Sequence, residues 1–305
     1  MFVADAHSDT LYSIGVNAIS PDECMITAKK LADGGVGLQT FAMFAGGEGI
    51  KGHPYDKGQA MLAAKDKLGV PLYLGDLPET HPETPHGILS IEGGEMLEGS
   101  LNRLHEFDEA CRPRMIALTW NNENEIGHSA KSGSTEGLKP FGLELLKEMD
   151  RLGILPDVSH LNEAGFWDIA EKAELPPIAT HSNLKKLCGH CRNLTDAQVK
   201  AIIEKGGFIG INFYSWFLKD DGEPTLDDVL RHIDGIAELG GIDVLGFGSD
   251  FDGIEKWPDG LASPADFPAL IELLDKHGYS RIDIEKIAGL NLWNVLKRAE
   301  KARKV

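Results

Sequence analysis

The chain alternates between short, nearly continuous apolar runs and longer stretches in which apolar residues recur every three or four positions. The runs are "FVADAH" (2–7), "VGLQTFAMF" (36–44), "GILSIEGG" (87–94), "RMIALTWN" (114–121), "GILPDVSH" (153–160), "PPIATHS" (176–182), "GGFIGINFY" (206–214) and "DVLGFGSDF" (243–251). Apolar runs of this length, without strict polar alternation, predict parallel strands buried on both faces. The stretches between them predict helices. "PDECMITAKKLADGG" (21–35) opens with Pro and closes with Gly, and "FGLELLKEMDRLG" (141–153) again ends in Gly. "LTDAQVKAIIEKGG" (194–207) offers Thr195 as an N-cap, "TLDDVLRHIDGIAELGG" (225–241) repeats the arrangement, and a last helix covers 282–304. Small polar caps at the start and glycine at the end are the expected asymmetry of helix termini.

No sequence repeat, low-complexity tract or linker interrupts the series, so residues 1–305 read as one domain. Eight strand–helix units over this length predict a (β/α)8 TIM-type barrel with an additional C-terminal helix, a fold that takes about 250 residues before insertions. An open doubly wound sheet is the alternative, but no Gly-x-Gly-x-x-Gly fingerprint follows any of the runs.

Composition narrows the partners. The residues are 42% hydrophobic and 26% charged, as in a soluble globular protein, and the formal net charge is −18. That balance argues against a nucleic-acid or anionic-membrane surface, both of which need basic patches. No stretch approaches the ~20 apolar residues of a membrane helix, and the first residues lack a signal-peptide pattern, so the expected location is cytoplasmic. Of the four cysteines, Cys188 and Cys191 form a C-x-x-C in "CGHC". No second Cys/His pair follows at zinc-site spacing, and these read as free thiols in a loop.

In a barrel of this type the working residues stand at the C-terminal ends of the strands. Those positions carry His7 and Asp9, Glu92, Trp120 with Asn121 and Asn122, Asp157 and His160, His181, Asn212 and Tyr214, and Asp250 with Asp252 just beyond. Each alone is ordinary. Together they bring several carboxylates and three imidazoles to one mouth, where unpaired carboxylates repel and are costly to desolvate. Divalent cations resolve both problems. Imidazole and carboxylate without thiolate point to zinc first, with manganese, cobalt or iron fitting the same donors. The expected assignment is His7, Asp9 and Glu92 on one ion and Glu92, His160 and His181 on the other. Glu92 is shared, and a hydroxide between the ions is the nucleophile. Asp250, left without an ion, is placed for general acid–base work. No Lys lies in 115–124 to bridge the metals from the fourth strand as a carboxylated lysine.

The motifs "DAHSDT", "IEGG", "DVSH", "ATHSN", "INFY" and "GSDFDG", in that order from residue 5 to residue 253, resemble the membrane (renal) dipeptidase family of dinuclear zinc metallopeptidases. The resemblance implies an amidohydrolase-like barrel, two zinc ions and hydrolysis of dipeptides, including those with a C-terminal D-residue. It implies the same metal positions, His7, Asp9, Glu92, His160 and His181, and the same acid–base, Asp250. Arg192, in "CRNLTD", matches an Arg that grips the substrate's free carboxylate, and Asn212 and Tyr214 match pocket-lining positions. Where the animal members carry a His after the fourth strand's Leu-Thr, this chain has Trp120, which can donate one hydrogen bond but cannot titrate near neutral pH. That departure keeps a lactonase or another amidohydrolase activity on the same dinuclear site as the alternative. Relatives pair, so a homodimer is the expected assembly.

Overall fold

The computed structural model describes residues 1–46 and 53–304. Eight parallel strands close on themselves in chain order: β1 (Val3–Asp5), β2 (Val36–Phe44), β3 (His86–Glu92), β4 (Met115–Ala117), β5 (Leu155–Asp157), β6 (Ile178–Ala179), β7 (Phe208–Ile211) and β8 (Leu245–Phe247). Asp5 pairs with Phe247 to shut the ring, giving the (β/α)8 barrel expected from the apolar runs.

Most strands end earlier than their runs because side chains take over the backbone hydrogen bonds at the mouth. Asp157 Oδ1, for example, accepts from Ser159 N at 2.9 Å and Thr180 N at 3.0 Å, which holds the ends of β5 and β6 together beyond the ladder.

Alternation along the strands sorts the core into two layers. Val3, Leu89, Ile91, Ile116, Ile209, Leu245 and Phe247 pack outward among the helices. Ala4, Leu38, Ile88, Met115, Leu155, Ile178 and Phe208, one from each of β1 to β7, form a separate inner cluster joined by Leu292 and Trp293 of the C-terminal helix. β8 contributes Gly246 at this level, and a Cβ there would stand 2.5 Å from the Phe208 ring. The missing side chain makes room for the phenyl group.

The helices over Pro140–Leu152, Asp196–Lys205 and Leu226–Glu238 lie where the pattern predicts them. Thr195 and Gln198 form a reciprocal capping box, and Gly153 ends the first of these helices at φ +68°. The helix expected over 21–35 is broken into a 3₁₀ turn, Pro21–Glu23, and a short helix, Ala28–Asp33. Asp252 causes the break. Its carboxylate accepts from Met25 N at 2.6 Å, from Ile26 N at 3.3 Å and from the Thr10 hydroxyl at 2.7 Å, pinning the intervening backbone to the loop that follows the adjoining strand β8.

The C-terminal segment is helical over Arg281–Glu285 and Asn291–Ala302, with a wider π turn at Lys286–Leu290. All four cysteines are free. No described helix is long and apolar enough to cross a membrane.

Candidate active site and metal centre

Glu92 ends β3 on the same inward alternation as Ile88, so it points into the mouth of the barrel. His7 and Asp9 follow β1, His160 follows β5, His181 follows β6 and Asp250 follows β8, and all are buried. His160 (φ +68°) and Asp250 (φ +65°) hold left-handed backbone conformations that a non-glycine residue rarely adopts. Such strain concentrates where side-chain direction matters more than local stability.

The carboxylate of Glu92 lies between two groups. Its Oε1 is 3.0 Å from His160 Nε2 and 3.5 Å from His181 Nε2, while its Oε2 is 3.4 Å from His7 Nε2. His7 Nε2 is also 3.6 Å from Asp9 Oδ2 and 3.7 Å from Asp250 Oδ1. Two donor sets are compact enough to hold an ion, His7–Glu92–His181 and His7–Asp9–Asp250. Ligand atoms about 2.1 Å from a tetrahedral zinc ion are about 3.4 Å from one another, so these separations fit a metal centre.

The hydrogen bonds behind the imidazoles set their tautomers. His160 Nδ1 donates to Asn121 Oδ1 at 3.1 Å. The Thr180 hydroxyl donates to Asp157 Oδ2, so at 2.9 Å it accepts from His181 Nδ1. Each ring therefore carries its proton on Nδ1 and turns the Nε2 lone pair toward Glu92 Oε1. The two Nε2 atoms stand only 3.0 Å apart. Lone pairs converge there with no proton to share, and a cation is the group that satisfies them. On the other side, His7 Nε2 and Asp9 Oδ1 are buried with no hydrogen-bond partner.

Charge follows the same division. Burial, reinforced by Arg192 and His7, holds His160 and His181 well below the ordinary imidazole range, in the neutral form a metal requires. Burial also opposes charge on His7, but the Glu92 and Asp9 carboxylates outweigh it and raise that imidazole well above its usual value. Glu92 and Asp250 are both pushed up, chiefly by burial, with Asp9 adding repulsion. In the metal-free protein the proton on His7 does the compensating that a divalent cation would do better.

The remaining expected residues surround this cluster at different depths. Trp120 and Tyr214 line the cavity above it, Trp120 against Phe44 (ring centroids 5.0 Å) and His160 (6.0 Å). The Tyr214 hydroxyl donates to Glu255 at 2.7 Å. Asn212 lies beneath, fully buried, and its Nδ2 donates to Asp250 Oδ2 at 2.9 Å. Arg192 is 3% exposed, donates to the Ser182 hydroxyl and the His181 carbonyl at 3.3 Å each, and leaves its Nε unpartnered. Asp157 is taken up by Ser159 N and Thr180, and Asp252, at the cavity wall, by Thr10 and the backbone of Met25 and Ile26, so neither joins the cluster.

Asn121 and Thr180, which orient the imidazoles, are residues that reading the sequence does not single out for that role. Asn121 stands at a strand end beside Trp120 and Thr180 beside His181, positions that place them at the mouth without marking the role.

The sequence pattern of the membrane dipeptidase family, peptidase family M19, matches residues 1–305. An uncharacterised Klebsiella pneumoniae protein from the pqqA 5' region is 39% identical over 220 residues, 69% of this chain and 80% of that protein. An uncharacterised dipeptidase of Schizosaccharomyces pombe is 33% identical over 219 residues, covering 70% of this chain and 52% of the yeast protein. Among solved structures, a Rhodobacter sphaeroides metallopeptidase bound to a phosphinate mimic of the dipeptide L-Ala-D-Ala superposes with a TM-score of 0.88 at 27% identity, over 98% of this chain and 99% of that one. The M19 metallopeptidase dipeptidase AC gives the same TM-score, 0.88, and identity, 27%, over 98% of both chains. With the pattern matching end to end, the chain belongs to the membrane dipeptidase family of metallopeptidases.

Proposed function

We propose that this protein hydrolyses the peptide bond of dipeptides, those with a C-terminal D-residue included, at a dinuclear centre whose first candidate metal is zinc. The observation that carries the reading is the Glu92 carboxylate, with one oxygen 3.0 Å from His160 and the other 3.4 Å from His7. His7, Asp9 and Glu92 would hold one ion; Glu92, His160 and His181 the other. Two such ions supply Lewis acidity toward a carbonyl oxygen and lower the pKa of water.

The chain's own residues do the rest. Arg192 is a buried cation with no carboxylate within ion-pair distance among the described residues, and a substrate's C-terminal carboxylate would supply the missing partner in a two-pronged contact. Asp250 is held through one oxygen by Asn212, and its other oxygen faces His7. There it takes a proton as water adds to the scissile carbonyl and returns it to the leaving amine as the C–N bond breaks. Trp120 and Tyr214 form the walls against which the side chains rest, excluding water from the reacting bond.

Tolerance of a D-residue is supported by likeness to the Rhodobacter enzyme, whose bound ligand mimics L-Ala-D-Ala. Metal analysis of the purified protein, combined with a panel of L-L and L-D dipeptides, tests the reading. Two equivalents of divalent metal and chelator-sensitive hydrolysis are expected. Failure to cleave any member with metal bound overturns it, and lactone hydrolysis that survives Arg192→Ala would put the alternative substrate in its place.

A further inference from the structure

The cavity above the cluster encloses about 690 Å³, and its walls differ in sign. The loops after β1 and β8 contribute Asp9, Asp252 and Glu255. The loops after β4 and β6 contribute Lys131 and His190, with Arg192 beneath. Between them, after β7, Lys219 faces Asp228 at 3.6 Å, and Asp220 accepts a hydrogen bond from Gly189 N at 3.1 Å.

Lys131 differs from its neighbours. The loop that carries it is fastened to the metal-binding shell, since Ala130 N donates to the His160 carbonyl at 2.7 Å and Ser129 bridges to Leu161. Ser132 turns back onto the Ser129 carbonyl through both its N, at 3.1 Å, and its hydroxyl, at 2.7 Å. Two of the three acidic residues of the same loop are engaged elsewhere: Glu123 faces His128 at 3.1 Å and Lys139 at 3.0 Å, and Glu136 faces His128 at 3.6 Å; the third, Glu125, lies within ion-pair distance of no cation among the described residues. Among the described residues no carboxylate comes within ion-pair distance of the Lys131 ammonium. Of the two lysines that line this cavity, Lys219 has a carboxylate partner and Lys131, carried on a fastened loop at the rim, has none among the described residues. Lys131, His160 and His190 line the same cavity, and Arg192 adjoins this wall, its N donating to His190 Nδ1 at 3.2 Å and its guanidinium to the His181 carbonyl.

We propose that Lys131 determines specificity for dipeptides whose C-terminal residue has a carboxylate side chain, aspartate or glutamate. The inference rests on the dipeptidase reading: Arg192 takes the α-carboxylate, so the C-terminal side chain extends along the wall that holds Lys131. An ion pair at a solvated rim is worth up to about fivefold in affinity, and a complementary charge sorts substrates as well as attracting them.

The test compares kcat/KM of the metal-loaded enzyme on alanyl-glutamate against alanyl-glutamine, and on alanyl-aspartate against alanyl-asparagine, in both configurations of the C-terminal residue. The acid is expected to be preferred about fivefold, mainly through KM, with the ratio falling to about one in Lys131→Ala and inverting in Lys131→Glu. Each ratio is taken within one preparation, so differences in folding or metal content cancel. Calorimetric binding of free glutamate against glutamine gives a readout independent of turnover and should lose its preference in the same variants. A ratio near one in the wild type, or an unchanged ratio in both variants, overturns the role of Lys131 while alanyl-alanine hydrolysis keeps the dipeptidase reading standing. No hydrolysis of any dipeptide takes down both.

Discussion

On the β5–β6 side of Glu92 stand two imidazoles, His160 and His181, with the Asp157 carboxylate held behind them on Thr180; on the β1–β8 side stand one imidazole, His7, and two carboxylates, Asp9 and Asp250. The imidazoles of the first side are neutral, and their tautomers are fixed in advance by Asn121 and by the Asp157–Thr180 pair. The second side relieves its crowding of negative charge through a raised His7. One half of the site is thus preorganised as a nitrogen-rich nest suited to zinc. The other is a charge-rich half that gains most from a cation and also holds Asp250, the proposed proton carrier. On the proposed reading, the Glu92 carboxylate couples halves that would otherwise differ in affinity.

Removing the coupling should have the largest effect. Glu92→Gln keeps the shape and deletes the charge that both halves use. Activity is expected to fall by about a thousandfold or more, with metal content dropping below two per chain. Elemental analysis beside steady-state kinetics checks both, and a variant that retains two ions and normal turnover would mean that the halves are not joined through this residue.

Asp250→Asn separates proton transfer from metal holding on the β1–β8 side. Because Asp250 sits 3.7 Å from His7 and belongs to a compact donor set with Asp9, the structure allows it either part. The acid–base assignment expects kcat to fall by about a hundredfold to ten-thousandfold while the metal content stays that of the wild type. Loss of an ion to the degree seen in Asp9→Asn would move Asp250 from proton carrier to ligand.

A smaller and one-sided effect is expected from Thr180→Val, which cannot accept from His181 Nδ1 and leaves Asp157 Oδ2 without its donor. Partners of this kind contribute about ten- to a hundredfold in metal affinity. Chelator titration should show one ion weakened by that factor and the other unchanged. Equal weakening of both would show that the imidazole half has no separate affinity.

These roles differ in how legible they are from the chain. The barrel could be read because each strand is an apolar run, and the cluster because its members stand at the ends of those runs, where the fold brings them together whatever their spacing. Thr180 and Asn121 could not be read, since their parts depend on which way a small polar side chain turns. The broken helix after β1 was hidden for a related reason. Its cause is Asp252, more than two hundred residues away, which outbids the local pattern for the backbone of Met25 and Ile26. Arg192 was legible as a cation beside the site but not as a buried one. Nothing local marks Lys131 as free of a carboxylate partner, because that depends on where Glu123 and Glu136 turn.

His232 supplies the control for the imidazole half, and the smallest of the expected effects. It is as buried as His181, but both of its nitrogens are used: Nδ1 accepts from Leu184 N at 3.1 Å and Nε2 donates to the Leu218 carbonyl at 3.0 Å. A buried histidine that only holds the fold looks like this, whereas His160 and His181 each leave one lone pair aimed at Glu92. Burial lowers His232 to about 4, against an unfolded value of about 6.5. Between those values the unfolded chain binds the proton and the folded one does not. The contribution of His232 to stability is therefore intact above pH 6.5 and is lost as the pH falls toward 4, by about 3 kcal/mol in all. Most of that loss lies outside the pH range of an activity assay, so the effect is to be read in unfolding curves. The difference in unfolding free energy between wild type and His232→Gln should shrink from pH 7 to pH 5, with dipeptide turnover at neutral pH little altered. A difference that stays constant with pH would mean that His232 takes up its proton in the folded protein as readily as in the unfolded chain, and the contrast with the neutral pair at Glu92 would then have to be drawn on hydrogen bonding alone.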